Sequence, residues 1–518
     1  MTARPIRLLL GFFTVGSWTM ASRILGFGRD ILIAALLGAG PVAEAFFVAF
    51  RLPNMFRRFF AEGAFNMAFV PLFAKKLEGE GQEAAWKFGT EALSALAAVL
   101  LIFTVIAQIA MPWFVYALAS GYSGADKFDL AVLYSRIVFP YIFLISLAAL
   151  FSGLLNSFGR FAAAAAAPLL LNVALILALT LAWAMGFDVG LALACGALIG
   201  GFAQLGLLWW AAHRLGMGLV PGRPRLTPDV RRLITLAIPA VLAGGVMQIN
   251  LVVGTQVASY FDGAVSWLWL ADRVYQLPLG VIGVAIGVVL LPELSRRLRA
   301  DDIEGTRESM NRATEFTMIL IAPATVGLVI IPELIVSVLY ERGAFTAVDT
   351  ANTALALAVY ALGLPSFVLT KVVQPAFFAR ENTKTPLKIA LISMVVNIGF
   401  AIGLAPVVGF LAAAIGATLA GWANLILLWF GARRLDPDLR LDDRLSRRLP
   451  RIILASILMG AVVLCLAIAG EALIPDLRWL VLLVTILAAM IIYAGLAIGL
   501  GAFRLSDVRA GLRRNRGS

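Results

Sequence analysis

Arg23, Arg29, Arg51, Arg57 and Arg58 stand in a stretch of sequence that is otherwise almost wholly apolar, and Arg136, Asp272, Arg273 and Lys371 recur in similar surroundings further along. A guanidinium is planar, permanently charged and rich in paired N–H donors. That geometry suits bidentate binding of phosphate, and a cluster of such groups suits pyrophosphate. The acids nearest the first five arginines are Asp30, Glu44 and Glu62, so five cations face three anions before any ligand arrives. Glu44, Arg51 and Arg58 are spaced by seven and Glu62 follows four later, which sets all four near one face of a helix. Pro53 and Asn54 interrupt that helix where a kink would expose backbone polar groups. Arg23 and Asp30 are also two turns apart, with Arg29 adjacent and Gly26 and Gly28 between them. Internal ion pairs (Arg23 with Asp30, Arg58 with Glu62, Asp272 with Arg273) would account for single residues, because buried charges pair. They leave the surplus unexplained. Arg136 and Lys371 read equally well as functional or as paired within their own helices, and Asn172 and Asn397 read as packing residues.

Other chemistries are disfavoured by residue type. The single histidine, His213, ends an apolar run beside Arg214, as an interfacial cap would. Cys195 and Cys465 lie far apart in apolar runs. Histidine catalysis, a metal site and a disulfide framework are therefore not expected. No phosphate-binding G-x-x-x-x-G-K-S/T loop occurs, so hydrolysis of ATP by the chain itself is not expected either.

The elements that position these charges must lie in a bilayer. The 518 residues are 61% hydrophobic and 14% charged, with mean hydropathy +0.93, and apolar runs of about 20 residues recur along nearly the whole length. Only α-helices satisfy their own backbone groups over such runs, so the fold class is an all-α polytopic membrane protein, with fourteen spans expected. The first run follows Arg4 and Arg7 as a signal peptide would, but continues past Arg23 to about residue 37 and reads as a retained helix. Of the 42 lysines and arginines, 31 fall in the segments on the N-terminal side of the alternating connections, while the opposite side holds only Lys127, Arg342 and Arg478. The asymmetry places both termini in the cytoplasm. It also explains the net charge of +12 as topology and lipid contact, and no nucleic acid is expected. The remaining eight cations are in the spans; placed centrally they would cost on the order of 20 kcal/mol, so they must face a polar interior.

A duplication organises the helices. "VPLFAKKL" (70–77) matches "LPELSRRL" (291–298), Pro140 and Asn172 match Pro365 and Asn397, and "LLWWAAHRL" (207–215) matches "LLWFGARRL" (427–435), at offsets between 220 and 225. Two six-helix lobes inserted the same way follow, related by a pseudo-twofold along the membrane normal, as in transporters. The expected divisions are an N-terminal lobe 1–216, a cytoplasmic linker 217–231, a second lobe 232–436 and a second linker 437–450. Helices 13 and 14 (451–503) follow, and then a basic cytoplasmic tail, 504–518.

"SRILGFGRDILIAALLGAG", "AFFVAFRLPNMFRRFFAEGAFNMAFVPLFA" and "ADRVYQLPLGVIGVAIGVVLLPELS" resemble the signature stretches of the MurJ (MviN) lipid II flippase family, within the multidrug/oligosaccharidyl-lipid/polysaccharide exporter superfamily. The resemblance runs the full chain. It implies two six-helix lobes around a cationic cavity, with helices 13 and 14 forming a groove for the undecaprenyl tail. By motif position it implies that Arg23, Arg29, Arg57 and Arg273 bind substrate, with Asp30, Glu44, Arg51, Arg58, Glu62 and Asp272 as cavity support. The implied substrate is lipid II, an undecaprenyl-diphosphate-linked disaccharide-pentapeptide, moved across the bacterial inner membrane. Membrane lipids and the cell-wall synthesis machinery are the implied partners, no cofactor is implied, and membrane potential is the expected driver. Two positions depart from the pattern. Gln276 stands where some relatives carry Glu, and the span "LAIPAVLAGGVMQINLVVGTQVASYF" lacks the acid that would support sodium coupling. The competing readings are a flippase for another polyprenyl-diphosphate glycan, a drug/cation antiporter, which the surplus arginines oppose, and a membrane scaffold.

Overall fold

The computed structural model describes residues 5–57, 64–300, 302–435 and 440–503, and among them no strand occurs. Several helices begin where the sequence supplies a side-chain acceptor for the first free amides. Asp188 accepts from the Leu191 amide at 2.8 Å, Asp302 from Gly305 at 2.8 Å and Asp442 from Leu445 at 2.7 Å. Thr346 and Asp349 form a reciprocal capping box.

The chain divides into two compact units. The first holds residues 1–266 and the turn Arg342–Phe345. Its helices are α1 (Pro5–Leu37), α2 (Pro41–Arg57), α3 (Ala64–Gly79), α4 (Gln82–Ile109) and α5 (Met111–Leu118). They continue with α6 (Asp126–Val138), α7 (Tyr141–Ser157), α8 (Phe161–Met185), α9 (Val189–His213) and α10 (Pro228–Ala258). The alanine-rich α8 packs on α1 and α9, and α2 packs on α6. Small side chains on α8 let those neighbours approach closely, which is how helices associate where no water drives them together. Although the duplication groups α10 with the second half of the sequence, its contacts are with α3, α4 and α5.

The second unit holds residues 267–341 and 346–518. Its helices are α11, which opens at Ala264 and runs to Arg299, α12 (Ile303–Ile330), α13 (Pro332–Tyr340) and α14 (Ala347–Phe378). After them come α15 (Lys384–Val408), α16 (Leu411–Leu435), α17 (Asp443–Leu473) and α18 (Arg478–Gly499). The last two helices dock on α12 and α13 through Ile331, Leu334, Met459, Val463, Val481 and Leu482. The Tyr493 hydroxyl, which would be costly to leave unpaired in lipid, donates to the Ile319 carbonyl at 2.7 Å.

Among the described residues ten segments are long and apolar enough to cross a membrane. They coincide with the third to sixth and the ninth to fourteenth spans expected from sequence; the other expected spans fall on α1, α2 with α3, α10 and α11. Several expected spans are broken where proline removes an amide donor: α6 and α7 part at Pro140, and α12 and α13 part before Pro332.

Candidate functional site

Among the described residues Arg29 is the most deeply placed of the candidate cations, 5% exposed on α1. Its Nε and Nη2 both donate to Asp30 Oδ1, at 3.0 and 2.7 Å, and its Nη1 donates to Asn172 Oδ1 on α8 at 3.0 Å. The guanidinium carbon lies 5.8 Å from the centroid of the Phe50 ring. Asp30 thus takes its sequence neighbour as partner, although helical spacing suggested Arg23. The pair forms because Asp30 and Arg29 are both shielded from solvent, whereas Arg23 is exposed. Among the described residues none forms an ion pair with Arg23.

Arg57 ends α2 and is half-buried. Arg58 and Glu62 lie outside the described residues. Pro53 is inside α2, which runs on to Arg57 without the expected break, and beside it Asn54 Nδ2 donates back to the Phe50 carbonyl at 2.8 Å.

Glu44 is 1% exposed. Its carboxylate accepts from Lys127 Nζ at 3.3 Å and from the Val265 amide in the first turn of α11 at 3.1 Å. Lys127 also donates to Asp262 at 2.6 Å and sits 4.5 Å from the Tyr122 ring centroid. Arg51 donates to Thr255 Oγ1 on α10. Both residues thus bind side chains or backbone groups far away in sequence, contacts no periodicity along one helix could disclose.

In the second unit, Arg273 lies 4.8 Å from the Trp269 ring centroid, one turn earlier on α11. Its neighbour Asp272 accepts from Gln276 Nε2. The Gln276 amide therefore serves as donor to this acid. Tyr275 stacks on Tyr360 of α14 at 5.6 Å. Arg29, Arg23 and Arg57 belong to the first unit and Arg273 to the second.

Three participants escaped the sequence reading. Asn172 was assigned to packing, yet it binds Arg29. Lys127 was counted only as one of three cations outside the basic segments, and that rarity was the available signal. Glu315 on α12 was not singled out; it accepts from Arg312 at 2.5 Å, from Arg444 Nε and Nη2 at 3.1 Å each, and from Arg448. Among the described residues no group of three or more His, Cys, Asp or Glu could hold a metal ion.

Membrane-spanning helices that carry buried, hydrogen-bonded charges define a polytopic transporter rather than a soluble enzyme. A fold of this class is seen in an inward-facing multidrug resistance MATE family transporter of the MOP superfamily, with TM-score 0.67 and 15% identity, over 82% of this chain and 98% of that one. The chain belongs to the lipid II flippase MurJ family, whose description matches residues 33–493. A probable lipid II flippase MurJ from Rhizobium meliloti (strain 1021) is 45% identical over 517 residues, 98% of this chain and 96% of the relative. A solved structure of a lipid II flippase MurJ in an inward closed conformation aligns with TM-score 0.78 and 26% identity, over 93% of this chain and 97% of the other.

Proposed function

We infer that this chain is a flippase that carries lipid II from the cytoplasmic to the outer leaflet of the bacterial inner membrane, by alternating access. The observation that carries the reading is Arg29: a buried guanidinium on a membrane helix, held by one acid and one amide, in a chain that belongs to the lipid II flippase family. Headgroup translocation is transport, with no covalent step for the protein to catalyse.

In this reading Arg23, Arg29, Arg57 and Arg273 meet the diphosphate, and Asp30, Glu44, Arg51 and Asp272 fix the geometry around them. Arg58 and Glu62 are assigned the same supporting role from sequence. Guanidinium groups suit this task because their paired N–H donors match phosphate oxygens, and a low-dielectric surrounding strengthens each contact. Both termini are cytoplasmic, as the distribution of basic residues supports. An inside-negative potential favours outward movement of an anionic headgroup by about 2.3 kcal/mol per charge per 100 mV, so membrane potential supplies the drive and no cofactor is needed. Helices α17 and α18 accommodate the lipid tail, and the cell-wall synthesis machinery consumes the delivered lipid.

The test is leaflet-resolved detection of lipid II in cells depleted of the native protein and supplied with Arg23→Ala, Arg29→Ala, Arg57→Ala or Arg273→Ala. Each variant, compared at matched abundance, should fail to display lipid II outside. Normal display by all four would overturn the assignment. Competition by other polyprenyl-diphosphate glycans for binding to purified protein separates lipid II from related cargo.

A further inference from the structure

Arg29 must be held still to recognise an oxyanion, and its own helix supplies only half of the restraint. Asp30 Oδ1 takes both Nε and Nη2, a grip on a single oxygen about which the guanidinium can still pivot. The second restraint comes from α8, where Asn172 Oδ1 accepts from Nη1 at 3.0 Å. Asn172 is itself fixed: its Nδ2 donates to the Ser22 carbonyl at 2.9 Å and to Ser22 Oγ at 3.3 Å. The Asn172 amide packs directly over Gly26, where a Cβ would stand 3.4 Å from its nitrogen. The amide lies over the α1 backbone and joins Ser22 to Arg29.

A guanidinium has five N–H donors, and the three bonds to Asp30 and Asn172 use one on each nitrogen. One N–H remains on each terminal nitrogen, the number needed for a bidentate contact with a phosphate. Asp30 balances the charge of Arg29, whereas Asn172 fixes the plane of the guanidinium without adding charge that would repel an anion. We propose that Asn172 is a positioning residue for diphosphate recognition, acting through Arg29. The proposal rests on the reading that Arg29 meets the substrate diphosphate.

The test is a thermodynamic cycle on the purified full chain in lipid nanodiscs, with undecaprenyl diphosphate as the probe and its dissociation constant as the readout. Asn172→Leu removes the polar contacts to Arg29 and Ser22 while filling similar space, and Asn172→Ser, too short to reach Arg29, serves as a second variant should the first not accumulate. Arg29→Ala is expected to weaken binding about tenfold or more, and Asn172→Leu or Asn172→Ser about five- to tenfold, as loss of the net contribution of one ordinary hydrogen bond implies. In the Arg29→Ala background the same substitution at Asn172 should change affinity less than twofold. A packing role alone would weaken binding equally in both backgrounds, and that result overturns the proposal, as does wild-type affinity in the single Asn172 variants. Wild-type affinity in Arg29→Ala would instead overturn the underlying reading of the arginine site.

Discussion

Replacing Glu315 by Leu should destabilise the second unit by about 3–5 kcal/mol, the range for removing one partner of a buried ion pair. The carboxylate binds Arg312, Arg444 and Arg448, and its side chain is 5% exposed. The three arginines would not suffer equally. Arg444, with 42% of its side chain exposed, and Arg312, with 26% exposed and a second partner in Asp442, can turn towards water or keep a carboxylate. Arg448, with only 9% of its side chain exposed, has little access to water and loses its contact with this carboxylate most expensively. The predicted loss is therefore carried by Arg448. The double variant Glu315→Leu/Arg448→Leu should recover most of it, because an apolar pair of similar volume replaces a buried ionic one at little net cost. Unfolding of the purified protein in mixed micelles under rising denaturant measures all three differences. A single Glu315→Leu variant within about 1 kcal/mol of wild type, or a double variant no more stable than the single, would refute the reasoning.

Two further perturbations probe other parts of the chain. Gly38 has φ +60°, and a Cβ there would stand 2.5 Å from the Ala344 carbonyl oxygen, a backbone atom that cannot rotate aside. Gly38→Ala should cost about 2 kcal/mol or more in the same unfolding assay, while Gly28→Ala, with no atom within 4 Å of the added carbon, should not. The Asp229 carboxylate, 2.9 Å from Lys76 Nζ, holds that ammonium above the ordinary lysine value of 10.5. A raised lysine pKa contributes stability in full below 10.5 that is lost as pH rises through the folded-state value. The difference in unfolding midpoint between wild type and Asp229→Asn should thus be constant from neutrality to about pH 10 and close above it; a gap that closes near neutrality would contradict the pairing.

The sequence was sufficient for those features that depend on properties additive along the chain. Apolar runs, the clustering of lysine and arginine on alternate connections, and the matched "LLWWAAHRL" and "LLWFGARRL" are all one-dimensional. They prescribe membrane helices. Family-specific stretches around Arg29, Arg57 and Arg273 were legible for the same reason. Partner choice was not. Helical spacing suggested Arg23 for Asp30, but Asp30 holds Arg29, and Glu44 holds Lys127, which no spacing had singled out. A buried charge binds whichever complementary group the packing brings within about 3 Å, and Asn172 and Val265 reach Arg29 and Glu44 from distant points in the chain. Composition and periodicity determined that charges must be sheltered within this membrane protein. Only the tertiary structure decided which groups shelter them, because hydrogen bonding depends on separations in space that sequence spacing along one helix does not encode.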